Sequence, residues 1–177
     1  REDRGGGGGE RAGTRGQTHT QGDKLSVDSA GNTGSVTDRN TGEIREAAIF
    51  VAARGASSYT FCEATWSQSL PDWIGSHVRA FEHMSAAPHA LVPDNLKSGV
   101  TRPCYYDPEL NPTYRDLASH YSAVVLPARP YRPRDKPKAE AAVLLAQRWI
   151  LARLRNQRFF SLDELNRSIR PLLVALN

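Results

Sequence analysis

The fold of this chain is decided by residues 24–65, KLSVDSAGNTGSVTDRNTGEIREAAIFVAARGASSYTFCEAT. Four runs within this stretch are predicted as β-strands because of their apolar, aromatic or alternating residues: 24–28, 32–37 as its continuation, 43–53 and 59–65. Turn residues separate the later runs, and Gly42 stands where the turn at 38–42 tolerates a positive φ. The stretch therefore predicts three antiparallel strands in a meander.

Helices and short strands are predicted to alternate after residue 65. The predicted helices cover residues 70–84, 112–121 and 135–158, with a final helix opening at residue 161; the predicted strands cover 90–92 and 123–126. Ser69 and Asp135 are predicted N-caps, and Ser161 with Glu164 forms a predicted capping box. This order predicts an α/β fold of the ribonuclease-H-like type, a mixed sheet with helices on both faces.

The composition of the 177 residues fits one domain with tails. Residues 1–23 are glycine-rich and predict a disordered tail, 24–158 predict the core, and 159–177 predict a C-terminal helix that starts a missing C-terminal region. No run of about 18 apolar residues predicts a membrane span, and no secretory signal is recognisable, so a cytoplasmic protein is expected. Cys62 and Cys104 lack metal-type spacing and are expected to be reduced thiols.

Three acidic residues stand where an apolar run ends or a helix begins: Asp28, Asp94 and Glu140. Glu140 lies in the first turns of its predicted helix, where the helix dipole favours an ionised carboxylate. Carboxylates that converge from distant parts of a chain can hold two Mg²⁺ or Mn²⁺ ions. Two such ions about 4 Å apart can bind both the attacking and the leaving oxygen of a phosphodiester. These acids are therefore predicted as the metal ligands and catalytic residues of a two-metal site.

Positive charge is concentrated in the second half of the chain. Residues 1–94 carry nine Lys and Arg against twelve Asp and Glu, whereas residues 95–177 carry fourteen against seven. A basic surface beside an acidic metal site suits a polyanionic substrate. The residues predicted to hold the phosphates of such a substrate are Lys97, Arg129, Arg132, Arg134, Lys136 and Lys138.

Each acid also has an ordinary structural interpretation. Asp28 could form a turn with Gly31, Asp94 could belong to a simple turn, and Glu140 could be a common first-turn acid. The five histidines show no paired-ligand spacing, so zinc is not expected and most of them are predicted at the surface. The tryptophans are predicted to pack in the core or against helices rather than to stack on bases: Trp66, Trp73 and Trp149.

Several long motifs, in a fixed order over residues 17–177, resemble the IstA-type transposases of bacterial insertion sequences. They are QTH at 17–19, GDKLSVDSAG at 22–31, TWSQSLPDWI at 65–74, VPDNLKSGV at 92–100, LNPTY at 110–114, PARPYRPRDK at 127–136 and RWILARLR at 148–155. The resemblance implies a DDE transposase with a retroviral-integrase-like catalytic core over residues 24–158, and it places the three acids on Asp28, Asp94 and Glu140. The chain departs from the family where Ser26 and Ser29 replace aromatic packing residues around the first acid.

The resemblance also implies cofactors and partners. Members of this family cut and join DNA ends with Mg²⁺, act as multimers on transposon ends and target DNA, and work with an IstB-type ATP-binding helper protein. A bacterial, nucleoid-associated location follows from that role. The family's N-terminal helix-turn-helix region is missing from this sequence, so a truncated copy is expected.

Two other functions remain open at this point. The chain could be a catalytically inactive remnant that binds DNA or a partner through the 129–138 segment and the basic helix at 148–158. It could also be a ribonuclease-like hydrolase of RNA–DNA hybrids, since that activity uses the same fold and metals.

Overall fold

The computed structural model describes residues 24–55, 57–93, 100–102, 109–126 and 137–177. Within these ranges, residues 30–33, 100–102, 109–110 and 137–140 are described by their backbone alone. The predicted tail at 1–23, the predicted cap Asp135 and Cys104 lie outside the described residues.

A five-stranded mixed sheet forms the centre of the described structure, in the order β3-β2-β1-β4-β7. Its strands are β1 Lys24–Thr37, β2 Ile44–Arg54, β3 Thr60–Thr65, β4 Ala90–Pro93 and β7 Val124–Val125; β5 Val100–Arg102 and β6 Glu109–Leu110 form a separate antiparallel pair. The first three strands are antiparallel neighbours, as the meander predicts. Strand β4 pairs in parallel with both β1 and β7. The β5–β6 pair was not predicted.

Helices cover both faces of this sheet. The described helices are α1 Leu70–His83, α2 Pro112–His120, α3 Pro137–Leu154 and α4 Leu162–Leu176. Helices α1 and α2 share one buried cluster with Leu25, Val27 and Leu91 of the sheet. Helices α3 and α4 share a second buried cluster with residues of β2 and β3 on the opposite face. The predicted α/β class, with a mixed sheet between two helical layers, is confirmed.

Residues 24–37 form one continuous strand and not two short ones. Its pairing with β2 shifts register between Ala30 and Gly34. The gap predicted between the runs 24–28 and 32–37 is therefore an irregularity within one strand, not the end of a strand. Gly34 lies directly under α4, where an added Cβ would stand 2.6 Å from Leu165 Cδ2. A residue without a side chain therefore lets the helix approach the strand at this point.

The helix starts agree with the capping signals, although the caps differ in kind. Ser69 precedes α1 but its side chain makes no capping hydrogen bond. Asn111 caps α2 by accepting from the N–H groups of Thr113 and Tyr114. Ser161 accepts from the Glu164 N–H, while Glu164 in turn accepts from the N–H of Phe160, one residue before the cap. Helix α3 ends at Leu154, four residues earlier than predicted.

The outer edge of the sheet is covered by two amide side chains from the C-terminal helical segment. Asn166 donates to the carbonyl oxygen of Ala64 and accepts from its N–H, at 3.0 and 2.7 Å. Asn177 does the same to Thr60, at 2.8 and 2.7 Å. Because β3 is the terminal strand of the sheet, both amides occupy backbone groups that a further strand would otherwise bond.

The prediction of surface histidines holds for His83, His89 and His120, which are exposed, but it is wrong for His77. His77 is fully buried in α1, with Nδ1 2.8 Å from the Trp73 carbonyl oxygen and Nε2 3.0 Å from the Tyr114 hydroxyl. A carbonyl can only accept, so Nδ1–H donates to it and the Tyr114 hydroxyl donates to Nε2. Burial lowers the pKa of His77 to about 4, which keeps this ring neutral.

The predictions for the three tryptophans and for Cys62 agree with the structure. Trp73 is buried, and Trp66 and Trp149 are partly buried against the α3–α4 cluster. Cys62 is a free, buried thiol, and burial raises its pKa. Across the described ranges, none of the helices has the length and apolar character that a membrane crossing requires.

Candidate active site

Asp28 lies in β1 on the face of the sheet that α3 and α4 cover. Its pairing partner in β2 is Val51, a member of the buried α3–α4 cluster, whereas Val27 belongs to the cluster on the other face. The carboxylate is half-buried. Its Oδ1 accepts from the N–H of Ser29 at 2.7 Å, and its Oδ2 accepts from Nε2 of Gln147 at 3.1 Å. The first predicted acid is therefore held on a central strand by two neutral donors.

The second predicted acid, Asp94, lies outside the described residues. The strand that leads to it is described: β4 runs parallel to β1, and the last pair in the register is Val27 with Pro93. The next residue in the sequence after each member of that pair is one of the predicted acids. Strand β4 ends at this pair, whereas β1 continues past Asp28 to Thr37, so Asp28 stands on β1 beside the end of β4.

The third predicted acid, Glu140, stands in the first turn of α3, and the structure describes its backbone only. Among the side chains of α3 that the structure describes, the buried ones are Val143, Ala146, Ile150 and Leu154. Positions 140, 143, 147, 150 and 154 follow the three- and four-residue spacing of one helix face. Glu140 and Gln147 are the two polar residues on that face. The Gln147–Asp28 hydrogen bond joins that face of α3 to β1.

The predicted phosphate-binding residues cannot be placed. Lys97, Arg129, Arg132, Arg134 and Lys136 lie outside the described residues, and Lys138 is described only as backbone in the first turn of α3. Four arginines that follow on α3 and just after it are exposed: Arg148, Arg153, Arg155 and Arg158. The Arg153 guanidinium carbon lies 3.2 Å from the centroid of the Trp149 ring, so this cation stacks on an aromatic face.

Sequence reasoning missed Gln147 as a partner of the first acid. Its signal was available, because a polar residue seven positions after Glu140 interrupts an otherwise apolar helix stripe. Among the described side chains, no three acidic, histidine or cysteine groups come together as a metal site. The side chains of Asp94 and Glu140 are not part of that described set.

Bacterial proteins similar in sequence to this chain include the following two. It is 50% identical over 161 residues to "Putative transposase y4uI" of Sinorhizobium fredii, an alignment that takes in 91% of this chain and 31% of that protein. It is 47% identical over 161 residues to "Putative transposase for insertion sequence IS408" of Burkholderia multivorans, with the same two shares. The chain thus spans just under a third of the length of these curated relatives. No family model matches it.

Catalytic cores of retroviral integrases are among the solved structures with a similar fold. The core domain of BIV integrase superposes with a TM-score of 0.58 at 15% identity, covering 88% of this chain and 84% of that one. The HTLV-2 integrase core, solved in complex with magnesium, gives a TM-score of 0.58 at 12% identity and covers 88% of this chain and 85% of that one. At such identities the likeness concerns the fold. The predicted resemblance is confirmed: the chain is similar in sequence to proteins named as transposases, one of them for an insertion sequence, and its described part has the ribonuclease-H-like fold of an integrase catalytic core.

Proposed function

We propose that this chain is the catalytic core of a DNA transposase and that Asp28, Asp94 and Glu140 form its metal-dependent site for cleaving and joining phosphodiesters. The observation that carries the proposal is the position of Asp28. It stands one residue beyond the Val27–Pro93 pair of two parallel strands and is hydrogen-bonded to the helix that carries Glu140. Both similar proteins are named as transposases, one of them for an insertion sequence, and these names agree with that reaction.

Covalent geometry keeps the first two acids close to each other. Successive Cα atoms lie about 3.8 Å apart, and neighbouring strands lie about 4.8 Å apart. Since Val27 pairs with Pro93, the Cα atoms of Asp28 and Asp94 are separated by at most about 12 Å. Two aspartates within that limit can share a pair of bound cations.

Helix geometry supports the assignment of the third acid. Seven residues of α-helix amount to nearly two full turns and a rise of about 10 Å. Glu140 therefore starts on the same face of α3 as Gln147, the residue that bonds to Asp28. The first turn of a helix also favours a negative charge, which suits an ionised metal ligand.

The chemistry of Asp28 fits a hard divalent cation. An ionised carboxylate offers about four lone-pair positions, and the N–H groups of Ser29 and Gln147 use two of them. Within the described ranges, no lysine or arginine forms an ion pair with Asp28. Oxygen ligands of this type prefer Mg²⁺ or Mn²⁺.

Two such ions held by the three acids would supply the positive charge that activates a hydroxyl and stabilises the departing oxygen. The chain itself holds and orients the substrate. The Asp28 carboxylate is held in place on a central strand by its hydrogen bonds to Ser29 and Gln147. The basic residues already named, from Lys97 to Lys138, bind phosphates and position the DNA without reading its bases. No side-chain nucleophile is required.

The relatives are about three times as long as this chain, so its partners are part of the proposal as well. Transposon ends and target DNA are the proposed substrates, and a homo-oligomer that holds both ends is the proposed assembly. An IstB-type ATP-binding protein is the proposed helper, on the basis of the sequence resemblance. The proposed location is the bacterial nucleoid, where the substrate lies.

The proposal is tested with the purified chain and its Asp28→Asn variant. The melting temperature is measured during titration with Mn²⁺, and nicking of a supercoiled plasmid is measured at the same metal concentrations. We expect Mn²⁺ to raise the melting temperature of the parent chain, because a ligand of the folded state stabilises it. The Asp28→Asn variant keeps the size of the side chain and loses both the metal response and the nicking.

Asp116→Asn is the matched control, because Asp116 is an exposed aspartate of α2 on the other face of the sheet. It should behave as the parent chain does. A parent chain that neither responds to Mn²⁺ nor cuts DNA, but binds DNA in a salt-sensitive manner, would replace the proposal with the inactive DNA-binding remnant. Preferential cutting of RNA–DNA hybrids would replace it with a ribonuclease-like hydrolase.

A further inference from the structure

We infer that Gln147 is a positioning residue of the metal site: its side-chain amide fixes the Asp28 carboxylate, and with it the setting of α3, in the geometry that binds the cations. This inference rests on the proposed function and adds a residue that acts through Asp28 rather than on the substrate. Its starting point is the 3.1 Å hydrogen bond from Gln147 Nε2 to Asp28 Oδ2, which connects residues 119 positions apart.

Gln147 occupies a position where an apolar side chain would be expected. Its neighbours on the same helix face, Val143, Ile150 and Leu154, are buried in the α3–α4 cluster. A polar amide on such a face stabilises the fold less than an apolar side chain of equal size unless its groups are bonded. Gln147 bonds to Asp28, the half-buried acid of β1, so its amide holds that carboxylate.

The chemical nature of this donor suits a metal ligand. A carboxylate acceptor requires the NH₂ end of the Gln147 amide to face Asp28, which fixes the orientation of that amide. The amide is neutral, so the carboxylate keeps its whole negative charge. A lysine or arginine in the same place would neutralise that charge and compete with the cation. Groups that orient a metal ligand in this way commonly change metal affinity 10- to 100-fold when they are removed.

The bond also links the two elements that carry the outer acids. Gln147 lies two helical turns after Glu140 on one face of α3, and Asp28 lies on β1. Rotation of α3 about its axis would break the Gln147–Asp28 bond and would move Glu140 away from β1 at the same time. This single hydrogen bond thus fixes the position of Asp28 relative to α3, the helix that carries Glu140.

The test separates the donor from the bulk of the side chain. Gln147→Met keeps the length of the side chain and removes the donor, whereas Gln147→Ala removes both. The matched control is Gln157→Met, because Gln157 is an exposed glutamine whose amide donates to the carbonyl oxygen of Arg153. For each variant, Mn²⁺ is titrated and the melting temperature and the rate of plasmid nicking are followed.

We expect both Gln147 variants to need about 10-fold more Mn²⁺ for half of the thermal shift and for half of the maximal rate. At saturating Mn²⁺ the rate returns to nearly that of the parent, because the acids themselves are intact. Without metal, Gln147→Met melts close to the parent chain, and Gln157→Met matches the parent in every measurement.

Three results would overturn the inference. Half-saturation by Mn²⁺ could be unchanged in Gln147→Met while Asp28→Asn abolishes the metal response, which would leave the proposed function standing and remove the role of Gln147. Gln147→Met could behave as the parent while Gln147→Ala does not, which would assign Gln147 to packing alone. A parent chain without any metal response would remove the proposed function and this inference together.

Discussion

Acid should destabilise this protein through one buried histidine. His77 of α1 is enclosed by Tyr114 of α2 and Phe50 of β2, and burial lowers its pKa from 6.5 to about 4 in the folded chain. In the unfolded chain the ring is in water and titrates near its ordinary value of 6.5. Between these two values the unfolded state binds a proton that the folded state does not, so the free energy of unfolding falls as the pH falls.

The size of the effect follows from the shift. Each pKa unit corresponds to about 1.4 kcal/mol, so the full displacement amounts to about 3 kcal/mol, reached near pH 4. At pH 5 the loss is already about 2 kcal/mol. Since domains of this size are stable by only about 5–15 kcal/mol, such a loss is easily measured.

Urea unfolding of the parent chain and of His77→Gln at pH 7, 6, 5 and 4.5 measures this contribution. Glutamine can still exchange hydrogen bonds with Tyr114 but does not titrate, so the variant loses less stability on acidification than the parent does. His83→Gln, an exposed histidine of the same helix, is the matched control and should follow the parent. A difference between parent and His77→Gln that stays constant from pH 7 to 4.5 would refute the reasoning.

Two further predictions concern packing and capping, and urea unfolding at pH 7 measures both. Ile150→Ala empties a fully buried site between α3 and the sheet and should cost about 2–5 kcal/mol, whereas Leu145→Ala, at a position 59% exposed, should be close to neutral; similar losses for both would contradict the assigned faces of α3. Asn111→Ala should cost about 1 kcal/mol because two N–H groups lose their acceptor, whereas Ser69→Ala should change stability little because its hydroxyl makes no capping bond. Equal costs for the two caps would show that the hydrogen bonds at Asn111 do not determine its contribution.

Local patterns in the sequence predicted the layers and element order of the fold. The apolar run that ends β2 gave a strand buried on both faces, and Asn111 and Ser161 marked helix starts that the structure has. Two features did not follow from local patterns. The close approach of Leu165 to Gly34, residues 131 positions apart, is one of them, because no local pattern reveals a helix packed against that glycine of β1. The β5–β6 pair is too short to leave a periodic signal.

In the candidate site, too, local sequence patterns identified some residues, whereas roles that depend on distant partners could not be predicted. Asp28 could be named from the sequence because it ends a short strand-like run beside a recognisable motif. Gln147 and His77 could not be assigned, since the role of each depends on a partner from another element, Asp28 in one case and Tyr114 in the other. Polar residues on apolar helix stripes were the available signal, and it indicates burial without naming the partner.

The paired amides of Asn166 and Asn177 give the last helical segment a protective role. Each amide bonds to the backbone as one peptide unit of a sixth strand would. The N–H and C=O groups of Thr60 and Ala64 are therefore already bonded and are not open to a strand of a neighbouring molecule. Shortening the chain to end before residue 162 would strip this cover and also uncover apolar side chains of β2 and β3 that α4 shields. Such a fragment should self-associate through its sheets, and its solubility should fall below that of the parent chain.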